Sequence, residues 1–303
     1  MSVTRIRVAI VGAGGLAWAM ARALSRSKGA SVAIASRKPA AAAAVARGLP
    51  RVRAERHLEQ ALAGAEIVLL AVPDRAVTSV AEAIAPLRRS WRGIVVLHAA
   101  GAYGPELLVP LRARGASTGV LHPLAVLGAN REATLAGAYA RIEGRPAAVA
   151  AARRVASLCG LVRLRGPGLS SPSGRKSYHA AASLVSNDLV ALLAAGQAQL
   201  VRRGVRQQDA LAALTRLAAG ALDAVQASGL SGALTGPVAR NDAGTLAAQL
   251  AALAVHDPVA EQAHRALSLR LVVLAAGLGR LDRRAALALT LRLARGPGRS
   301  GTV

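Results

Sequence analysis

His179, Ser183 and Asn187 recur every four residues in the stretch RKSYHAAASLVSND. On a helix that spacing places an imidazole, a hydroxyl and an amide along one face. Lys176 precedes His179 by three residues and joins the row. Such a row can hydrogen-bond a carbonyl or hydroxyl group, and His179 or Lys176 could exchange a proton with it. A polar helix–helix contact or ordinary helix surface would use the same residues. Two further histidines, His98 in IVVLHAAG and His122 in TGVLHPL, close apolar runs. They are expected to touch substrate or nicotinamide, although a buried histidine satisfied by backbone bonds reads equally well. Arg240, in ALTGPVARND, is placed to clamp a carboxylate or phosphate, while Asp242 can cap the helix that follows.

Phosphate chemistry points to the first turn of the chain. RIRVAIV runs directly into GAGGLA, and a helical pattern follows. In G-x-G-x-x-A, Gly12 permits the tight turn, Gly14 lets the backbone approach a pyrophosphate, and Ala17 allows close helix–strand packing. Ala13, Gly15 and Leu16 complete the expected dinucleotide contact; a glycine turn that merely closes a sheet is the plainer alternative. After the second strand the chain offers Ser36, Arg37 and Lys38 in place of a carboxylate. Donors and positive charges there suit a ribose 2′-phosphate, favouring NADP over NAD. Two solvent-facing bases ahead of a helix are the alternative. Val72, Pro73 and Asp74 follow a further apolar run and are expected beside the cofactor, with Asp74 first of all a cap for the next helix.

Strands are predicted at 5–11, 31–35, 51–53, 66–72, 94–98, 117–121 and 161–165, separated by helices of roughly ten residues, a pattern of a mainly parallel sheet covered on both faces. The breakers of 166–174 then introduce a run of helices at 176–203, 207–227, 242–254, 257–276 and 280–295. The predicted architecture is α/β: a doubly wound, Rossmann-like NADP-binding domain over 1–165, an all-helical substrate and dimerisation domain over 166–295, and a flexible tail over 296–303.

Composition narrows the function classes. The chain is 53% hydrophobic, 18% charged and 2% aromatic, so its cores must be built from Ala, Leu and Val. A formal charge of +24 raises nucleic acid or an anionic membrane as a partner. The basic residues are nearly all Arg, with Lys only at 28, 38 and 176, and they occur singly or in pairs without interleaved aromatics. A solvated Arg-rich surface is the expectation, with no specific nucleic acid. The single Cys159 excludes an intrachain disulfide, and no metal site is expected. The stretches 210–225 and 246–255 read as too short and too interrupted to cross a membrane. A cytoplasmic location is expected.

GAGGLA, AVPD, HAAGA, LHPL, KSYHAAASLVSN and ALTGPVARND, in that order, resemble the Rossmann-like proteins whose C-terminal helical domain is known as domain of unknown function 2520. The resemblance runs from about residue 5 to residue 255. That family is similar in layout to NADP-dependent reductases of the 6-phosphogluconate dehydrogenase, ketopantoate reductase and pyrroline-5-carboxylate reductase type. It implies that Gly12, Gly14 and Ala17 bind the dinucleotide, and that His98, His122, Lys176, His179, Asn187, Thr235, Pro237, Arg240 and Asp242 line or support a cleft. The family pattern R-G-D followed by Thr and His becomes Arg240-Asn241-Asp242, Thr245 and Gln249 here.

The expected function is hydride transfer between NADP(H) and a small, anionic carbonyl, imine or hydroxyl compound, by a homodimer formed through the helical domain. Arg240 would orient the substrate, Asn187 and Ser183 would hold its polar centre, and His179 or Lys176 would manage the proton. A noncatalytic NADP(H)-binding sensor or assembly protein is the first alternative, and a basic nucleic-acid-associated protein the second.

Overall fold

The computed structural model describes residues 5–128 and 134–294. The expected tail at 296–303 lies outside these residues. The described chain divides into two compact units, one running through Val185 and the other from Ser186.

The first unit holds an eight-stranded sheet in the order β3-β2-β1-β4-β5-β6-β7-β8. Its strands are β1 (Ile6–Val11), β2 (Ala30–Ala35), β3 (Val52–Ala54), β4 (Ile67–Leu70), β5 (Val95–His98), β6 (Ser117–Leu124), β7 (Tyr139–Gly144) and β8 (Val162–Arg163). The strands from β3 through β6 pair in parallel, β7 runs antiparallel to β6, and β8 is parallel to β7. Order 3-2-1-4-5-6 reverses direction between β1 and β4, the switch point at which open α/β sheets form a crevice beyond their carboxyl ends. The expected doubly wound sheet is present.

Helices cover both faces. On one side α1 (Gly15–Arg26), α2 (Pro39–Ala46) and α6 (Pro146–Leu158) pack Met20, Leu24, Val45 and Val155 onto Ile10, Ile34 and Leu69. On the other, α3 (Leu58–Leu62), α4 (Val77–Ile84) and α5 (Val109–Ala113) bury Leu62, Ile84 and Leu111 against Val68, Leu70 and Val96. Trp91 fills this layer, and its indole N–H donates to the Ala85 carbonyl at 3.0 Å. Aliphatic residues supply nearly the whole core, as the composition required.

Two elements depart from the sequence expectations. β7 is not among the predicted strands; its segment YARIEG carries Arg141 and Glu143 and forms no continuous apolar run. Arg141 is nonetheless 1% exposed, its Nη1 paired with Glu143 and its Nη2 directed at main-chain carbonyls, while its buried Nε has no hydrogen-bond partner. β6 also continues past 121 through Pro123 to Leu124, with Leu124 opposite Tyr139. Pairing with β5 ends at Val120, so around Pro123 the strand is paired with β7 alone.

The helical region begins with α7 (Pro172–Val201), followed by α8 (Gln207–Ala233), α9 (Ala243–Ala254), α10 (Pro258–Gly277) and α11 (Arg283–Ala294). The 166–174 segment, where the breakers place the domain boundary, forms a 3-10 turn at Pro167–Ser170 and the first residues of α7; the compact units divide farther along that helix. Arg175 and Tyr178 explain the difference, since both bond to the sheet of the first unit. α8 bends at Gly229, whose φ of 65° and ψ of −175° interrupt the helix close to the expected end at 227.

Leu234, Leu246, Leu250, Val272, Leu289 and Leu293 form the core of the second unit. Its buried carboxylate, Glu261, is paired with Arg265, which also donates to the Leu293 carbonyl at 2.9 Å. α7 is long and apolar enough, by length and composition, to cross a membrane. It thus qualifies where the shorter stretches 210–225 and 246–255 do not. Its polar first turns are tied to the sheet through Arg175 and Tyr178.

Candidate active site

A cavity of about 1120 Å³ opens at the carboxyl ends of β1, β2 and β4. The glycine turn forms one wall. Gly12 has φ +127°, and a Cβ there would lie 2.2 Å from the Ala71 carbonyl oxygen, so both its backbone angle and its contact with the end of β4 require glycine. Gly14 faces open space, and a Cβ placed on it would have no neighbour within 4 Å. Gly14 is the N-cap of α1 and makes no side-chain cap bond, leaving that helix terminus available to an anion. Ala17, fully buried, lets α1 approach the sheet.

Gly12, Ala13, Gly14, Gly15, Leu16, Ser36, Arg37, Lys38, Val72, Pro73 and Asp74 all line this cavity. Ala17 lies beneath it in the core. Arg37 and Lys38 are exposed, and the Ser36 hydroxyl donates to the Lys38 carbonyl at 2.7 Å, fixing the turn that presents both bases. The turn offers no carboxylate. The open approach over Gly14, the unsatisfied α1 terminus and the paired bases therefore fit a dinucleotide carrying a 2′-phosphate.

Asp74 does not act as the expected cap. It begins a 3-10 turn at Asp74–Ala76, while the N-cap of α4 is Ala76, and neither turn has a side-chain cap bond. Partial desolvation raises the Asp74 carboxyl above its ordinary range, and the charge of His179 offsets part of that rise. Asp74 therefore shares its electrostatic surroundings with a residue of α7.

The histidines separate into different environments. His98 is fully buried; its Nδ1 accepts from the Ala100 N–H at 3.1 Å and its Nε2 lies 2.8 Å from the Gly104 carbonyl, to which it donates. Burial lowers its proton affinity. With both ring nitrogens committed to the 99–104 turn, His98 has none left for substrate, so the expected direct contact gives way to a structural role.

His122, by contrast, lines the cavity. Its Nδ1 lies 2.7 Å from the Tyr178 hydroxyl, and the rings meet edge to face with centroids 5.5 Å apart. Burial, followed by the nearby charges of Arg141, His179 and His98, pushes the His122 pKa down to about 4. At neutral pH the ring is therefore uncharged. A Tyr178 O–H donating to Nδ1 leaves the proton on Nε2.

Gly101 brings His122 and His179 together. A Cβ on Gly101 would lie 2.8 Å from both His122 Nε2 and His179 Cδ2. Any side chain at 101 would displace one ring or both. His179 itself is exposed on α7, as is Lys176 a turn earlier, and Ser183 is half-buried. Within the first unit, His122, Tyr178, His179 and Asp74 consequently form one polar group; Lys176 and Ser183 do not line the cavity.

Asn187 and Arg240 belong to the second unit, and both are exposed. Asn241 beside Arg240 has φ 54°, the left-handed conformation that asparagine tolerates better than most residues. It thus accommodates the turn where the family pattern has glycine. Asp242 caps α9 as expected, accepting from the Thr245 N–H at 2.9 Å and its hydroxyl at 2.7 Å. These bonds hold the Asp242 carboxyl below its ordinary range. At Gln249, where the family pattern has histidine, Oε1 lies 3.4 Å from His264 Nε2 of α10.

Tyr178 and Arg141 are the site residues that sequence reasoning misses. Tyr178 is one of only three tyrosines and neighbours His179, which marks its segment without revealing its contact with a strand 56 residues away. Arg141 gives no signal among so many arginines.

Residues 1–123 match the Rossmann-like domain model and residues 138–271 match DUF2520, a domain of unknown function. The chain combines these two domains, as the ordered motifs indicated. No curated protein matches it. Among solved structures it is similar to the candidate NADP oxidoreductase BF3122 from Bacteroides fragilis, with 21% identity, 89% of this chain and 99% of that chain covered, and a TM-score of 0.70. An imine reductase from Pseudomonas sp. gives 19% identity, coverage of 96% and 100%, and a TM-score of 0.62. A reductive aminase from Aspergillus terreus, in complex with NADPH and ethyl-5-oxohexanoate, gives 18% identity, coverage of 96% and 93%, and a TM-score of 0.57. These likenesses show the same fold, a Rossmann-like sheet domain followed by a helical region.

Proposed function

We propose that this protein is an NADP(H)-dependent oxidoreductase acting on a small, anionic carbonyl, imine or hydroxyl compound. The observation carrying the reading is the single cavity wall that joins the glycine turn and the Arg37–Lys38 bases to the neutral imidazole of His122. The NADPH-bound reductive aminase and the imine reductase of similar fold support the cofactor and reaction class.

Gly12, Gly14 and the α1 N-terminus would hold the pyrophosphate, while Arg37 and Lys38 would receive the 2′-phosphate. NADPH supplies a hydride when bound, and the protein supplies orientation and electrostatics. Carbonyl reduction would leave negative charge on the oxygen, which is the atom the protein must protonate. His122 Nε2–H donates to that oxygen as Tyr178 passes its hydroxyl proton to Nδ1. The imidazole stays neutral throughout, and Tyr178 recovers its proton from solvent after release. Burial pushes the Tyr178 hydroxyl up to about 12, and Arg141, whose guanidinium carbon lies 5.6 Å from the Tyr178 ring centroid, offsets part of that cost when the proton leaves. His179 lies beside Gly101, and its charge acts on Asp74 at the cavity wall. The proposed substrate contacts of Arg240, Asn187, Ser183 and Lys176 rest on sequence pattern.

A second copy of the chain is the proposed partner. α7 and α8 bury only Tyr178 and Ala210, and they expose Leu184, Val185, Val190, Leu217 and Leu222. Apolar helical surface on this scale is suited to association. The proposed assembly is a soluble, cytoplasmic homodimer rather than a membrane protein.

The functional test is NADPH oxidation with a panel of small cyclic imino acids, keto acids and uncharged ketones. Saturable turnover with deuterium delivered from C4-deuterated NADPH to the acceptor carbon supports the reading. NADPH binding without transfer to any acceptor favours the cofactor-binding sensor instead.

A further inference from the structure

We propose that Arg141 is a positioning residue that fixes the 99–104 turn and the Tyr178 ring so that His122 presents its Nε2–H donor beside Gly101. This role rests on the oxidoreductase reading of the same cavity. Arg141 stands directly opposite His122 in the antiparallel β6–β7 pair. Its Nη2 donates to the carbonyls of Ala100, Gly101 and Tyr103, at 3.4, 3.3 and 2.6 Å. Its Nη1 donates to Glu143, and its guanidinium faces the Tyr178 ring at 5.6 Å. One planar fork thus contacts the turn containing Gly101, the ring bonded to His122 and a balancing carboxylate.

The surrounding charges hold this arrangement together. Glu143 also receives Arg175 of α7, and Arg175 reaches Glu106 at 3.2 Å. Glu106 in turn accepts from the Gly104 N–H at 2.8 Å. The titratable and charged groups around His122 are Arg141 with its partner Glu143 on β7, His98 on β5, and Tyr178 and His179 on α7; Asp74 at the end of β4 adjoins His179. Arg141 is the fixed positive charge in this set that bonds to the turn itself. A hydrophobic residue could fill its volume, but it could neither bind three converging carbonyls nor discourage protonation of His122.

Nitrogen-15 NMR of the imidazoles in the full chain tests the role without a substrate. The wild-type His122 should show the Nε2–H tautomer and titrate near 4. Arg141→Lys keeps a positive charge but cannot span the three carbonyls. It should produce a mixed tautomer with titration changed by less than about half a unit, whereas Arg141→Met should also raise the titration by about one unit or more. Both variants should retain NADPH affinity within about threefold, because Arg141 does not line the cavity. An unchanged Nε2–H tautomer in Arg141→Lys overturns the proposal even if Arg141→Met fails to fold. Failure of the oxidoreductase reading would appear separately, as NADPH that no acceptor oxidises, while the NMR signatures remain.

Discussion

His122 and Arg141 occupy facing positions on β6 and β7, so an imidazole at the cavity wall is backed by a guanidinium that solvent scarcely reaches. The cross-strand pair explains why a basic side chain sits within a sheet and why the nearby histidine is uncharged. It also makes the acid limb of stability predictable. The folded pKa of His122 lies below its unfolded value, so the unfolded chain binds the additional proton between the two. Its stabilising contribution is present above about pH 6.5 and declines as pH falls toward 4, by an amount on the order of 3 kcal/mol before other groups are counted. Denaturant titrations at pH 7 and pH 5 should show about 2 kcal/mol of this loss, and His122→Gln should reduce the difference. Equal pH dependence in both proteins would contradict it.

Replacement of Arg37 and Lys38 by alanine should weaken NADPH about 10- to 100-fold, consistent with losing charge-assisted bonds to phosphate, and alter NADH by about threefold or less. Parallel fluorescence titrations of both nucleotides measure the ratio. Equal losses would remove the 2′-phosphate assignment.

Gly101→Ala places a methyl group in space occupied by the edges of His122 and His179. Stability should fall by about 1–3 kcal/mol as the rings give way. NADPH affinity should remain within about threefold, while turnover of an accepted substrate should drop about 100-fold or more, because the donor geometry is disturbed. Unaltered turnover would show that reaction does not occur beside Gly101.

A charged residue on the exposed α8 surface should disrupt association. Leu217→Glu and Leu222→Glu alter side chains that are 70% and 56% exposed in the chain. Sedimentation equilibrium should give a dimer for the wild type and a monomer for the double variant at micromolar concentration. Wild-type monomers under those conditions would refute the proposed assembly.

Much of the fold is legible in the sequence because glycine turns, short aliphatic runs and amphipathic helices report local geometry. Gly12, Gly14 and Ala17 announce the β1–α1 turn, and the helical pattern ends near the actual bend at Gly229. β7 is less legible: its buried Arg141 is supported by Glu143 and by carbonyls about 40 residues earlier, relationships that a local pattern does not contain. His98 and His122 look alike in sequence for the same reason. Backbone groups engage both nitrogens of one, whereas Tyr178 and the cavity define the other. The row His179, Ser183 and Asn187 lies on α7, but the side chain of that helix that bonds to His122 is the adjacent Tyr178.

The most direct measurement is a fluorescence titration of nucleotide-stripped protein with NADPH and NADH, repeated at high salt because a chain of charge +24 attracts phosphates without a defined site. The cavity should bind one NADPH per chain, saturably, with preference over NADH retained in salt. Absence of saturable binding, or an equal loss of both nucleotides in salt, would contradict the assignment of this cavity to NADP(H).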